Sequence, residues 1–240
     1  MNDTAAKPIA FVCAMPVELV PLTEKLALVD ASIGDMPVQT GTVDGRPVVA
    51  IVTGMGMDYA REGVERLLDA IAVEWVLVVG ITGALESETP IGTIVLPEVV
   101  VNSQTLAEFA PAPLGGGVAK GRMFTAVGLT TDPARLGELR AQGVVSLDME
   151  TAMIAQCCEA RGVPWSVFRA ISDRANDGSV DEEIFQLSNM DGTPNFENIT
   201  AYFERHPEKR ALMAKMGEDC MLATNAAADA AIAACASIPV

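Results

Sequence analysis

Two apolar runs that each end in carboxylates constrain this chain more than any other feature. Val144-Val-Ser-Leu runs into Asp148-Met-Glu150, and an alanine-rich amphipathic segment from Met149 to Ala160 follows. Further on, Trp165-Ser-Val-Phe-Arg-Ala-Ile ends at Ser172-Asp173. An open α/β sheet builds its ligand crevice at such strand ends, so both acids are expected on one rim. Glu18 follows the N-terminal apolar run Ile9-Ala-Phe-Val-Cys13 with only Ala-Met-Pro-Val between, near the start of the next helix. Three strand ends can therefore present three carboxylates to one pocket.

The rest of the chain reads as alternating elements. Pro16 to Leu28 is a helix with proline in its first turn, where the missing N–H matters little. Val38 to Val43 and Pro47 to Thr53 flank Asp44-Gly45, a strong hairpin signal. A helix from Met57 to Ala72 follows the glycine turn Thr53-Gly-Met-Gly56. Trp75 to Val79 is continuously apolar, as a central strand covered on both faces should be, and it runs into Gly80-Ile-Thr-Gly-Ala84, read as a turn that brings backbone amides to a ligand. Thr93 to Leu96, Val99 to Val101 and Phe124 to Val127 are further strands, and Ala110 to Gly117 is a loop. The longest helix is expected from about Glu208 to Ala234. With 240 residues and no Pro/Gly/Ser-rich linker, the expectation is a single domain over 1–240, its first seven residues flexible.

Composition narrows the ligand. A net charge of −16 opposes binding to nucleic-acid phosphates and to anionic membranes, so the ligand should be neutral, zwitterionic or cationic. No uninterrupted apolar stretch approaches the roughly 20 residues of a bilayer span, and Met1 to Lys7 lacks a signal-peptide core. These point to a soluble, cytoplasmic protein with no nucleic-acid or membrane partner. The five cysteines (Cys13, Cys157, Cys158, Cys220, Cys235) contain no C-x-x-C pair and read as free, buried thiols. His206, the single histidine, sits at a helix boundary, and no His/Cys cluster has metal-ligand spacing. Acid–base work then falls to carboxylates, with no metal or cofactor expected.

Ala14-Met15 with Glu18, then Thr53 to Gly56, Val79 to Gly83, Asp148 to Glu150 and Arg169 to Asp173 occur in an order that resembles the purine nucleoside phosphorylase/uridine phosphorylase superfamily. Within it, the chain is most similar to the 5′-methylthioadenosine/S-adenosylhomocysteine nucleosidases, from about Ile9 to Val180. The resemblance implies a three-layer α/β/α sandwich with a central mixed β-sheet, a small-molecule nucleoside substrate, and assembly as a homodimer or larger oligomer. It implies that Asp173, oriented by Ser172, protonates N7 of a purine, which calls for a carboxyl with a raised pKa. Glu150 would accept the ribose 2′ and 3′ hydroxyls and favour a cationic sugar. Glu18 would deprotonate the attacking water from the opposite side, as in inverting glycoside hydrolysis. Met15, Met55 and Met149 would line the sugar and 5′ region, with Ile81, Thr82 and Gly83 against the substrate. Plainer roles compete: a dipole-favoured helix acid for Glu18, a turn aspartate for Asp173, a first-turn acid for Glu150, and core packing for the methionines.

Whether water or phosphate is the nucleophile depends on positive charge. Phosphate asks for arginine forks aided by backbone amides. Phosphorylases of this superfamily commonly place arginine after the first strand, where this chain has Ala14-Met-Pro-Val-Glu18; a carboxylate there favours hydrolysis. Arg61 and Arg122 are the arginines weighed as able to reach the pocket. Three positions depart from the nucleosidases: Ile81 replaces a serine, Thr130 to Arg135 replaces a segment that usually supplies an aromatic on adenine, and Asp148 replaces a glutamate. Asp148 and the tail from Asn189 to Pro207 match members linked to hopanoid synthesis better. Phosphorolysis, including that hopanoid-linked type, therefore stands as the alternative. A non-catalytic nucleoside-binding module would be favoured by loss of one carboxylate, and all three are present. Val99 to Pro113 is the candidate for closing a neighbouring subunit's pocket.

Overall fold

A computed structural model describes residues 6–175 and 180–239, so the expectation for the flexible first residues falls largely outside the described chain. In chain order the elements are β1 (Ile9–Cys13), α1 (Pro16–Leu26), β2 (Val29–Ile33), β3 (Met36–Val43), β4 (Arg46–Val52), α2 (Met57–Ala70) and β5 (Trp75–Ala84). Then come β6 (Ile94–Val95), β7 (Val99–Asn102), β8 (Glu108–Phe109), β9 (Arg122–Thr125), α3 (Pro133–Ala141), β10 (Val144–Asp148), α4 (Thr151–Ala160) and β11 (Trp165–Arg174). Three helices close the chain: α5 (Glu182–Phe185), α6 (Phe196–Arg205) and α7 (Arg210–Ala234).

The described strands form one mixed sheet in the order β2-β3-β4-β1-β5-β10-β9-β7-β8, with β11 beside β5 and β6 beside β11. β1 runs parallel to β4 and β5, β11 parallel to β5, and β10 antiparallel to β5. Successive side chains of a strand point to opposite faces, and the core divides accordingly. Ile9, Phe11 and Cys13 of β1 pack with Leu22 of α1 and Ala227 of α7, whereas Ala10 and Val12 pack with Val64 of α2 and Ala155 of α4. Helices thus cover both faces, giving the three-layer α/β/α sandwich with a central mixed sheet.

The structure corrects several expectations. Gly80 to Ala84 is not a turn but the second half of β5, because β11 pairs with it from Arg169↔Gly80 to Arg174↔Ala84. Val99–Asn102 lies between β8 and β9 with Val100, Val101 and Asn102 buried, so only the later part of Val99 to Pro113 is open to a neighbour. The stretch Pro207–Ser237 is long and apolar enough, by length and composition, to cross a membrane, although the sequence shows no uninterrupted apolar run of that length. Its alanine face, Ala223, Ala227, Ala228, Ala231 and Ala234, is buried against the sheet. The hairpin turn is as expected, with Asp44 and Gly45 at φ of 49° and 79°.

Candidate active site

The C-terminal ends of β1, β5, β10 and β11 open into one cavity of about 1150 Å³. The residues expected to act on or bind the substrate all line it: Met15, Glu18, Met55, Ile81, Thr82, Gly83, Met149, Glu150, Ser172 and Asp173. His206 is not among its lining residues and instead sits between Glu183 and Glu208. Arg61 and Arg122 are also not on it; they pair with Asp58 and Glu108.

Glu18 is the third residue of α1, and its carboxylate turns back toward the start of the helix, as an acid at that position can. Its Oε2 accepts from the N–H groups of Ala14 at 2.7 Å and Met15 at 2.9 Å, and Oε1 from Ile81 N–H at 2.8 Å. The close approach requires glycine at position 80, where an added Cβ would stand 2.1 Å from Glu18 Oε1. The glycine segment therefore contributes by making room for an acid rather than by turning the chain. Ile81, which stands where the nucleosidases usually carry serine, supplies both a backbone donor to Glu18 and a backbone acceptor to Arg169. Thr82 Oγ1 is engaged within the sheet, donating to Leu147 O at 2.7 Å.

Arg169 of β11, quoted in the sequence only as part of a motif, is at the centre of the site and is 2 % exposed. A guanidinium has five N–H donors, and partners surround it on every side. Nε points at Thr151 Oγ1 (3.1 Å), Nη1 at Ile81 O (2.8 Å) and Glu18 Oε1 (3.5 Å), and Nη2 at Asp148 Oδ2 and Glu150 Oε2 (both 3.0 Å). Three carboxylates on one cation leave two negative charges uncompensated when all are ionised. Burying a charge this way is tolerable only with such pairing.

Glu150 ends the β10–α4 turn, with Oε1 receiving Gly56 N–H at 2.8 Å and Oε2 receiving Arg169. Burial pushes its pKa up to about 7 from 4.5; Arg169 and the Gly56 bond pull down, and Asp148 and Glu18 push up. Each of its oxygens keeps a lone pair for a ligand hydroxyl. Asp148, weighed from the sequence only as a departure from a pattern, is buried beside it.

Asp173 is placed by an irregularity in β11. Register against β5 shifts between Ile171↔Thr82 and Asp173↔Gly83, leaving Ser172 without a counterpart. A bulge re-aims side chains that strict alternation would send to opposite faces, and here Ser172 and Asp173 both reach the cavity. Ser172 Oγ donates to Asp173 Oδ2 at 2.6 Å. Gly83 leaves space for the acid, since a Cβ there would lie 3.0 Å from Asp173 Oδ1.

The remaining wall comes from the C-terminal part of the chain. Val180, Ile184, Leu187, Ile199, Phe203, Met213 and Met216 form an apolar side of the cavity. Gly128 to Thr131 also lines it, ahead of α3, and brings no aromatic; Phe185 and Phe203 are the aromatic side chains among the described lining residues. The strip from Ser188 to Pro194 folds over the entrance of α1: Met190 O accepts Met55 N–H at 2.7 Å, and a Cβ on Gly192 would stand 2.8 Å from Met15. Cys220 of α7 reaches the cavity too, its thiol pushed up to about 11 by burial and by Glu18 and Asp173.

Fold and site define an α/β/α enzyme-like pocket whose buried charge is anionic. The chain belongs to the Phosphorylase superfamily, which it matches over residues 8–125 and 115–203. A 5′-methylthioadenosine/S-adenosylhomocysteine nucleosidase of Anoxybacillus flavithermus is 29% identical over 198 residues, covering 70% of this chain and 85% of that one. Among solved structures, the S-adenosylhomocysteine nucleosidase of Streptococcus pyogenes in complex with 5-methylthiotubericidin superposes with a TM-score of 0.73 at 17% identity, covering 100% of both chains. The corresponding nucleosidase of Colwellia psychrerythraea in complex with adenine gives 0.73 at 18% identity, covering 97% and 96%.

Proposed function

We propose that this protein hydrolyses the N-glycosidic bond of a purine nucleoside of the 5′-methylthioadenosine/S-adenosylhomocysteine type, releasing adenine and the ribosyl product. The observation that carries the choice of water over phosphate is the engagement of Arg169: each of its three nitrogens already donates to an oxygen of the protein, and three carboxylates pair with it. An arginine so engaged offers no fork to an anion, and the surplus negative charge around it repels one.

The same surplus suits the sugar. As the bond from C1′ to the base breaks, its electron pair leaves with the purine and positive charge grows on the ribose. Asp173, oriented by Ser172, delivers a proton to N7 of the departing base. Glu150 holds the ribose hydroxyls and, with its neighbours, stabilises the cation through charge already in place before reaction. Glu18 takes the proton of the water that attacks C1′. Its Oε1 is the less engaged oxygen, since Arg169 stands 3.5 Å away. Assembly as a homodimer or larger oligomer goes with this reading.

Purified protein in phosphate-free buffer should release free adenine and reducing sugar from 5′-methylthioadenosine, with little response to added phosphate. Glu18→Gln should stop hydrolysis while nucleoside still binds, because Glu150 and Asp173 remain. Strict phosphate dependence with a sugar 1-phosphate product would overturn hydrolysis in favour of phosphorolysis.

A further inference from the structure

We propose that Asp148 is a positioning residue of this site: it takes up the Arg169 guanidinium so that the charge of Glu150 stays available to a cationic sugar. The inference rests on the glycosidase reading above and goes beyond it by giving a defined role to a buried acid other than Glu18, Glu150 and Asp173.

Asp148 closes β10 and is fastened through both oxygens. Oδ1 receives Thr125 Oγ1 at 2.6 Å, and Oδ2 receives Thr151 N–H at 2.9 Å and Thr151 Oγ1 and forms an ion pair with Arg169 Nη2 at 3.0 Å. The two threonines are themselves tied down. Thr125 Oγ1 accepts Ala152 N–H at 3.0 Å, and Thr151 Oγ1 accepts Arg169 Nε at 3.1 Å. Asp148 is thus a fixed acceptor with its lone pairs committed inside the protein, unlike Glu150, which keeps one free on each oxygen.

Charge counting gives the consequence. Arg169 Nη2 lies 3.0 Å from both Asp148 and Glu150 and carries one positive charge to share. With Asp148 ionised, the cation is shared between two carboxylates, and Glu150 faces the cavity with part of its charge unquenched. With Asp148 neutral, the whole of that charge would fall to Glu150, to which Nη2 already donates, and cancel it. The groups that face Glu150 are Arg169 of β11, Asp148 of β10, Gly56 N–H at the start of α2, and Glu18 of α1. The Cys13 thiol of β1, beside Glu18 and Arg169, is kept protonated by burial and adds no charge. The side effect of leaving Glu150 unquenched is its high pKa, to which Asp148 contributes.

The test is a carbon-13 NMR titration of the Glu150 side-chain carboxyl, assigned with Glu150→Gln, together with pH profiles of kcat and KM for adenine release. Asp148→Asn should lower the Glu150 midpoint by about one unit, the size expected for loss of a like charge a few ångströms away. The acid limb of kcat should move down with it, and plateau kcat should fall about tenfold, with KM changing less. Asp148→Glu keeps the charge and should keep both the midpoint and the limb. Asp148→Ser removes the charge with a different side chain and should reproduce the shift should the asparagine variant fail to fold. A midpoint and acid limb that stay in place when the charge is removed would overturn the proposal and leave Asp148 a purely structural acid. A wild type that releases no base would instead overturn the glycosidase reading, and the titration would still decide whether Asp148 governs Glu150.

Discussion

Glu150→Gln should make the protein more stable in alkaline solution while damaging its activity. Folding raises the Glu150 pKa from 4.5 to about 7, so between those values the native state binds more protons than the unfolded chain. Stability from this group is therefore fully present below 4.5 and declines as pH rises through 7. A rise of that size corresponds to about 3 kcal/mol at high pH, and most of it, about 2–3 kcal/mol, develops between pH 5 and pH 8.5. Glutamine does not ionise and escapes this loss. Its amide does place one N–H against either Gly56 N–H or Arg169, at a cost of about 1–2 kcal/mol that does not depend on pH. The variant should accordingly gain about 1–2 kcal/mol at pH 8.5 and be equal or slightly worse at pH 5. Urea unfolding at the two pH values, with unchanged m, measures it. A variant less stable than wild type by the same amount at both would show that pairing with Arg169 outweighs burial, and the electrostatic picture of the site would fail.

Two further changes probe the chemistry. Asp173→Asn should lower kcat by about 10²–10⁴-fold with the fold intact, since an amide of nearly equal volume cannot deliver a proton; near-normal kcat in a steady-state assay would remove Asp173 from that role. Gly80→Ala should displace the Glu18 carboxylate, because the new methyl would fall 2.1 Å from Oε1. Lost turnover together with a lowered melting temperature is expected, and a fully active variant would show that Glu18 need not sit where it does.

The apolar runs made much of this molecule legible in advance. β1, β5 and β11 are buried on both faces and β10 nearly so, so their sequences are largely hydrophobic stretches, and the acids at or just beyond their ends stand out. β2 carries no such run because Val29–Ile33 is an exposed edge, and α3 hides behind a polar, proline-led start capped by Asp132. Gly80 to Ala84 was misleading because two glycines ordinarily signal a turn; here one of them makes room for a carboxylate contributed by residue 18. The central place of Arg169 is hidden in the sequence for a related reason. Its partners are at positions 18, 81, 148, 150 and 151, and no local pattern records contacts that only the assembled sheet creates. The bulge at Ser172 is equally silent in sequence, since it exists only as a mismatch of register with β5.

The cavity is built from two kinds of chain. Its charged side is drawn from strand ends far apart in the sequence, with Glu18, Asp148 and Glu150 locked together through Arg169. Its apolar side comes from one continuous stretch, Val180 to Met216, made of α5, α6, the loops between them and the first turns of α7. Bond cleavage is thus written in scattered positions that must change together, and ligand shape in a single cassette that can change alone. A library confined to that cassette would search for new substituents on the substrate while leaving the broken bond the same, and a library on the strand ends would mostly yield inactive protein.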